Sequence, residues 1–349
     1  MKLPLVQASS AGQPRRRGAL ATSALALTFA LGLGSVPVAA QDGTGAATPT
    51  PPSACEVVPA QVTSQEQAAP ARPAETPAAT PSASPMASPV GATPVASPAV
   101  ETTPETVAGD PLATDLEAAA TAVAGCLSDA NYDELAQITG DLYRGQLVGL
   151  AEPLDPADFL TLSVTLPHVP VQVLSVEEAE FTGETIATAV VTYEMAHQVR
   201  TSSWEFELTE VRGTQTWVVQ GETGMAPQLP DGTETISVTV EGEAYSIDPA
   251  TVAGPSVAIN ATNADEHVHE VWVVRLDGDA TTQTILEATG PGFPENVTFI
   301  GQLTIPAGES GTLLLAGLQP GTYTIVDLLP NESGLPNLVD GMSTTFEVE

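Results

Sequence analysis

Two histidines in the last third of the chain have a spacing that could support metal chemistry. His267 and His269 are separated by one residue, so their side chains project to the same face if the strand is regular there. Imidazole nitrogens bind Zn²⁺ or Cu²⁺, and Asp327 or Asp265 could add an oxygen ligand. Because exposed His-x-His pairs also arise without a metal, the pattern leaves both a metal site and a polar surface open.

A second group of candidate residues lies in the middle of the chain and could line a pocket. Its members are aromatic or ionisable: Tyr132, Asp141, Tyr143, His197, Trp204 and Trp217. Such a pocket could bind a small molecule, and an acid–base pair in it could transfer protons. No motif arranges these side chains, and aromatic residues are more often core than catalytic. Since the chain also lacks a Gly-rich phosphate loop, a Gly-x-Ser-x-Gly turn and a Cys-x-x-Cys pair, we do not expect an enzyme.

The chain has two cysteines, Cys55 and Cys126. A disulfide between them is the favoured interpretation outside the cytoplasm, where exposed thiols tend to oxidise. It would connect the segment around Cys55 to the first folded domain. A single bridge is not a disulfide framework, so apolar cores must hold the domains together.

The first forty residues have the three parts of an export signal. Arg15–Arg17 form a basic region, residues 19–33 are mainly apolar, and Val38-Ala39-Ala40 offers small residues for cleavage. An apolar run of about fifteen residues is too short for a stable membrane span. We expect cleavage near Ala40 and a secreted or extracytoplasmic protein without a membrane span, with an uncleaved anchor as the alternative.

The charge of the chain excludes two classes of partner. There are 43 acidic residues against 9 basic ones, for a net charge of −34, and no lysine follows Lys2. Neutralising phosphate groups requires clustered Lys and Arg, so nucleic acid and anionic lipid are not expected partners. A protein or a small apolar ligand remains.

Composition divides the rest of the chain into three parts. Residues 41–109 are rich in Ala, Pro, Ser and Thr, which predicts a disordered linker. Residues 110–226 start with apolar residues at helical spacing to about Leu150 and continue with alternating strands, which predicts an α+β domain. Residues 227–349 predict eight short strands of an all-β sandwich, with residues 277–301 as a surface excursion.

The α+β part resembles the ketosteroid-isomerase-like cone fold, also called SnoaL-like. The resemblance is carried by CLSDANYDEL at residues 126–135 and by GTQTWVV at residues 213–219, and it covers about residues 110–226. Catalytic members of this family use an acid–base Asp or His opposite a Tyr or Asp in an enclosed pocket. The resemblance therefore implies that Tyr143, His197, Trp204 and Trp217 line a cone pocket.

The C-terminal part resembles the cupredoxins. NADEHVHEV at residues 263–271 resembles the loop and strand of the first histidine ligand of a blue copper ion. GTYTIVD at residues 321–327 resembles the strand that ends in the cysteine ligand, and Gly341-Met342 resembles the axial methionine. The resemblance implies a Greek-key sandwich with a vestigial metal site, formed by His269, Asp327, Asn337 and Met342.

Two of the implied copper ligands are replaced in this sequence. Asp327 stands where the family has cysteine, and Asn337 falls near the second histidine position. A blue copper centre needs a thiolate and two imidazoles, so we expect no blue copper and no resident cofactor, with weak copper or zinc binding as the alternative. The sequence thus predicts an exported, non-enzymatic binding or interaction protein. A metal-handling protein and a small-molecule-binding or isomerase-like cone are the alternatives.

Overall fold

A computed structural model describes residues 55–64, 110–166, 168–288 and 293–349. The predicted export signal, its cleavage site and most of the predicted linker lie outside these residues. Within them, no helix combines the length and the apolarity that crossing a membrane requires. The described chain forms a helical and β-sheet region, called here the first region, followed by a β-sandwich.

Four α-helices open the first region. The longest begins where Asp110 accepts a hydrogen bond from the Leu112 amide and Pro111 occupies the first helical turn. Its buried face includes Leu112, Leu116 and Val123, at the helical spacing seen in the sequence. The helices are α1 (Pro111–Ser128), α2 (Tyr132–Leu135), α3 (Asp141–Leu147) and α4 (Pro156–Leu162), and a 3₁₀ turn follows at Ser163–Thr165.

An antiparallel meander of four long strands completes the first region. It is formed by β1 (Val171–Phe181), β2 (Ile186–Met195), β3 (Gln198–Val211) and β4 (Thr214–Met225). The β3–β4 turn places Arg212 at φ 52° and Gly213 at φ 83°, the left-handed conformation that tight hairpins require. The helices and the inner face of the sheet share one apolar core.

A short N-terminal segment is fastened to this region. Cys55 and Cys126 form a disulfide, and both residues are buried. Residues 55–64, called the strap below, lie along α1 and the start of β4, where the Ala60 amide donates to the Gln215 carbonyl at 2.8 Å. The strap adds Cys55 and Val62 to the core of the first region.

In the part of the chain that the structure describes, the sandwich contains nine strands in two sheets. They are β5 (Glu234–Glu241), β6 (Ala244–Asp248), β7 (Thr251–Val252), β8 (Val257–Asn263), β9 (His269–Leu276), β10 (Val297–Ile305), β11 (Ser310–Leu315), β12 (Gly321–Val326) and β13 (Ser343–Val348), with α5 at Thr282–Leu286 and a 3₁₀ turn at Asn337–Asp340. One sheet has the order β10-β9-β12-β13-β7. The other contains β11, β8, β5 and β6, and a separate apolar core lies between the two sheets.

The sheet of the first region continues into the sandwich. Seven of its eight strands run in the order β1-β2-β3-β11-β8-β5-β6. The eighth, β4, pairs with β3 along Thr201–Val211. The join, called the seam below, is made where Val199 and Gln198 pair with Leu314 and Leu315. The two regions predicted as separate domains are therefore connected by main-chain hydrogen bonding.

Three details differ from the sequence prediction. Helix α4 was not foreseen, because its seven residues are too few to establish an apolar period. The expected surface excursion at residues 277–301 contains α5 and the first part of β10. The ninth strand, β7, has two residues and depends on its parallel pairing with β13, which local sequence cannot reveal.

Candidate functional site

The side chain of His269 enters the sandwich at the first residue of β9. Val273 on this strand pairs with Ile325 on β12, so the alternation of side chains puts His269 and Asp327 on the same inner face. Both residues are buried, with 5% of His269 and 0% of Asp327 exposed. The ring nitrogen Nδ1 of His269 lies 2.7 Å from Oδ2 of Asp327. Since a carboxylate can only accept, Nδ1 carries the proton and donates it to this hydrogen bond.

Both oxygens of Asp327 are engaged by the protein itself. Oδ1 accepts the Leu329 amide at 2.8 Å, and Oδ2 accepts the Glu270 amide at 3.5 Å in addition to the His269 ring. A buried carboxylate is stable only with such partners. Asp327 therefore connects the end of β12 to the start of β9 through hydrogen bonds of its side chain.

The opposite edge of the His269 ring, which carries Nε2, points toward the loop that precedes β9. Its Nε2 lies 3.4 Å from Oδ2 of Asp265, and Oδ1 of the same carboxylate lies 3.4 Å from Nδ1 of His267. Buried Asn263 shapes this loop, because its amide group donates to the His267 carbonyl at 2.7 Å and to the Ile305 carbonyl at 2.9 Å. Both histidines thus lie near Asp265, whereas Asp327 contacts the ring of His269 and not that of His267.

Asn337 and Met342 lie on the loop that follows Asp327. The Met342 amide donates to the Asn337 carbonyl at 3.3 Å, and the Leu338 amide donates to the Asp327 carbonyl at 2.9 Å. Met342 is fully buried, whereas Asn337 is half-buried at the start of its 3₁₀ turn. Among the described residues, no three His, Cys, Asp or Glu side chains are arranged to hold a metal ion.

Glu270 is a neighbouring acid that the sequence did not single out. Its carboxylate accepts the Trp272 indole N–H at 2.7 Å and the Thr304 hydroxyl at 3.3 Å on the outer face of the same sheet. Burial raises the pKa of Glu270 to about 6, and the nearby Asp327 carboxylate adds to the rise. Burial also raises the pKa of Tyr245, whose hydroxyl donates to the Glu270 carbonyl. The only sequence signal was an acid between His269 and Val271 at the start of an otherwise apolar strand.

Three of the four predicted pocket residues lie in the core of the first region. The ring centres of Tyr143 and Trp204 are 5.5 Å apart, and Trp217 packs on Phe181 at 5.7 Å. Tyr143, Trp204 and Trp217 are each at most 3% exposed. The indole N–H of Trp217 has no hydrogen-bond partner among the described residues. These side chains fill the interior by packing on one another.

A partly polar cluster borders this aromatic core. The Tyr193 hydroxyl donates to Oε2 of Glu222 at 3.1 Å, and Tyr193 also packs on Trp204 at 5.7 Å. Burial raises the pKa of Glu222, while the charge of Arg200 acts in the opposite direction. Neither Tyr193 nor Glu222 was among the candidates, because the sequence shows only an acid and a tyrosine on separate strands.

The other three candidates, His197, Asp141 and Tyr132, occupy three different places. His197 occupies the β2–β3 turn, where its Nδ1 is 3.0 Å from the Ala316 carbonyl oxygen in the seam. The exposed Asp141 side chain pairs with Arg144, and Tyr132 packs edge-on against Phe159. The structure therefore keeps His197 and Asp141 apart from the aromatic interior, whereas Tyr132 packs at the border of the same apolar core.

Among the depressions that the described residues of the first region form, two that are open to solvent bear on the predicted pocket. One of about 290 Å³ is lined by residues that include Glu178, Glu180 and Ser203. Another of about 640 Å³ is lined by residues that include Gln137, Leu142 and Glu210. Neither is lined by the four residues predicted for the cone pocket.

Comparison with known proteins gives structural neighbours only. No protein-family model and no curated protein matches the chain. A reduced auracyanin from Roseiflexus castenholzii is 22% identical over 34% of this chain and 98% of its own, with a TM-score of 0.26. Auracyanin A, a "blue" copper protein from Chloroflexus aurantiacus, is 20% identical over 34% of this chain and all of its own, with a TM-score of 0.25.

A multicopper oxidase from Aquifex aeolicus also matches, at 9% identity over 43% of this chain and 41% of its own, with a TM-score of 0.21. The three neighbours named here have TM-scores of 0.26, 0.25 and 0.21. At such low TM-scores they carry no conclusion about copper, electron transfer or location. None of the structures named here is a SnoaL-like protein, so the cone interpretation stays a prediction.

Proposed function

We propose that this chain is an exported, non-enzymatic interaction protein whose cupredoxin-like sandwich no longer transfers electrons. The hydrogen bond of 2.7 Å between His269 and Asp327 carries this proposal. It joins two positions that the cupredoxin resemblance assigns to copper ligands. Direct contact between these two side chains stabilises the loops around them without a metal.

The residues at these positions do not fit a blue copper ion. Such an ion needs a thiolate, and Asp327 offers a harder carboxylate whose oxygens already accept three hydrogen bonds. The side-chain amide of Asn337 is a poor copper ligand compared with the imidazole that it replaces. A metal at this point would have to break the His269–Asp327 contact and leave buried polar groups unpaired, which costs about 1–3 kcal/mol for each group.

A protein partner fits the first region better than a small apolar ligand. The aromatic side chains of Tyr143, Trp204 and Trp217 occupy the interior in which such a ligand would bind. The net charge of −34 disfavours partners with strongly acidic surfaces. Export itself rests on the basic, apolar and small-residue pattern of residues 1–40.

Copper titration of the purified chain tests the loss of electron transfer. We expect no intense blue absorbance with Cu²⁺ and no rise in melting temperature at micromolar metal, because a ligand of the folded state must stabilise it. Blue absorbance in the unmodified chain would contradict the proposal.

A double substitution tests whether Asp327 and Asn337 occupy the ligand positions. Asp327→Cys with Asn337→His should give blue absorbance with Cu²⁺, since His269 and Met342 would supply the remaining ligands. Asp327→Cys alone is the matched control, and it should give a weaker or different spectrum because it lacks the second imidazole. A folded but colourless double variant would show that the ligand positions are wrongly assigned.

Weak binding of Zn²⁺ or Cu²⁺ by His267 and His269 is the second candidate function. The favouring observation is that one carboxylate, that of Asp265, lies 3.4 Å from a nitrogen of each ring. The His267 side chain is 73% exposed, so it could rotate to complete a site. Any stabilisation by Zn²⁺ should then disappear in both His267→Gln and His269→Gln, and its persistence in either variant would exclude this site.

A further inference from the structure

The strap is held to the first region by polar contacts as well as by the disulfide. The buried carboxylate of Asp115 on α1 accepts the backbone N–H groups of Gln61 and Val62, each at 2.7 Å. The Thr216 hydroxyl on β4 donates to the Val58 carbonyl at 2.5 Å. Hydrogen bonds to a charged acceptor are about twice as strong as neutral ones. Asp115 is therefore the main polar contact that keeps the strap in place.

The disulfide bond that fastens the strap is itself buried. Cys126 is 0% exposed and Cys55 is 4% exposed, while Val62 of the strap is 3% exposed. Thiol–disulfide exchange requires a thiolate to approach a sulfur atom along the disulfide bond. A reductant therefore reaches the disulfide only after the strap has lifted from α1.

The disulfide also keeps the N-terminal part of the chain attached if the main chain is cut. The Cys55–Cys126 bond has a sequence separation of 71 residues, so residues 55–126 form a covalently closed ring. A cut between residues 65 and 109 would open the ring without separating residues 1–55 from the folded chain. Release of the N-terminal part would then need both a cut and reduction of the disulfide.

We propose that the strap is a redox-sensitive latch that attaches the N-terminal part of the chain to the folded regions. In the opening step a dithiol reductant breaks the S–S bond. It supplies two electrons and two protons, becomes an internal disulfide, and leaves thiols at Cys55 and Cys126. Asp115 controls this step because its two hydrogen bonds must break before the sulfur atoms become accessible.

The rate of disulfide reduction without denaturant tests the latch. Asp115→Ala should speed the appearance of thiols in dithiothreitol by about tenfold or more, since two charge-assisted hydrogen bonds are lost. Glu117→Ala is the matched control, because Glu117 lies on the same helix, is exposed and makes no side-chain hydrogen bond or ion pair with the part of the chain that the structure describes. It should reduce at the rate of the unmodified chain. Equal rates for Asp115→Ala and the unmodified chain would overturn the proposal.

A destabilised variant separates local lifting of the strap from unfolding of the whole chain. Gly301→Ala alters the seam and leaves every strap contact in place. If the strap lifts locally, this variant should reduce no faster than the unmodified chain. Acceleration equal to that of Asp115→Ala would show that reduction needs global unfolding. If Asp115→Ala does not fold, Thr216→Val weakens the strap through Val58 and serves in its place.

A protease site inserted between Ala78 and Ala79 tests the attachment. After cleavage the two pieces should elute together from a sizing column, and they should separate once a dithiol has reduced the disulfide. Separation before reduction, or continued co-elution after complete reduction, would contradict the latch.

Discussion

At the residue scale, the Glu270 carboxylate makes the sandwich sensitive to pH. Its pKa of about 6 lies above the ordinary value because burial disfavours the charged form and the Asp327 carboxylate repels it. The hydrogen bonds from Trp272 and Thr304 oppose this rise without cancelling it. A carboxyl group whose pKa is raised by folding stabilises the folded state when it is protonated. This contribution is present below the ordinary pKa and is lost as the pH rises through about 6.

Glu270→Gln should therefore stabilise the protein at high pH. At pH 8 we expect the free energy of unfolding to rise by about 1 kcal/mol, because a neutral amide replaces a partly buried charge. At pH 4 the variant and the unmodified chain should differ little. Thermal unfolding at the two pH values measures the difference, with Glu309→Gln as an exposed control. A stabilisation that does not depend on pH would exclude charge as the cause.

The sequence anticipated part of the candidate site. His269 and Asp327 were paired by a resemblance that fixed their places at a strand start and a strand end, and the sheet register brings them together. The sharing of Asp265 between the two histidines depends on how Asn263 folds the preceding loop. The conformation of this loop depends on tertiary contacts, and no periodic pattern in the sequence predicts it.

At the element scale, the β2–β3 hairpin of the first region makes hydrogen bonds to the sandwich. Its His197 amide donates to the Ile300 carbonyl at 3.1 Å, and its carbonyl accepts the Ala316 amide at 2.8 Å. The Gln198 side chain accepts the Gln302 amide at 3.1 Å. Alternation along β2 and β3 predicted the two strands, but nothing local indicated that the turn would bind strands more than 100 residues away.

Gly301 should be intolerant of a side chain because of this contact. A Cβ atom there would lie 2.9 Å from a Leu315 methyl carbon and 3.1 Å from the Gln198 Cβ. Gly301→Ala should lower the free energy of unfolding by about 1–3 kcal/mol through overpacking. Gly224→Ala is the control, since among the described residues no atom beyond its own chain neighbours lies within 4 Å of its Cβ position. Chemical denaturation compares the two, and an equal effect would show that the seam is not tightly packed.

At the scale of the whole molecule, the shared sheet predicts cooperative unfolding. Main-chain hydrogen bonds cross from β3 to β11, so neither region can lose its strands without breaking pairs in the other. Calorimetry of the unmodified chain should show one transition, with equal calorimetric and van't Hoff enthalpies. Two resolved transitions would mean that the seam contributes little to the coupling.

The organisation of the molecule was predicted only in part. Composition and the spacing of apolar residues correctly indicated helices followed by a β-sandwich. These signals are visible in the sequence because each region buries its own apolar residues in its own core. A sheet that runs through both regions could not be predicted. Val199 pairs with Leu314, and two strands so far apart in the sequence carry no local signal that they will pair. The boundary at residues 226 and 227 marks a change of composition rather than a break in hydrogen bonding.

The hairpin also determines what would happen to the sandwich on its own. A chain that began at residue 227 would lack the hairpin, and the backbone groups of Ile300, Gln302 and Leu314 that meet it would face water. Unpaired strand edges are templates for pairing with another chain. The isolated sandwich should therefore self-associate, and the first region protects its neighbour from aggregation.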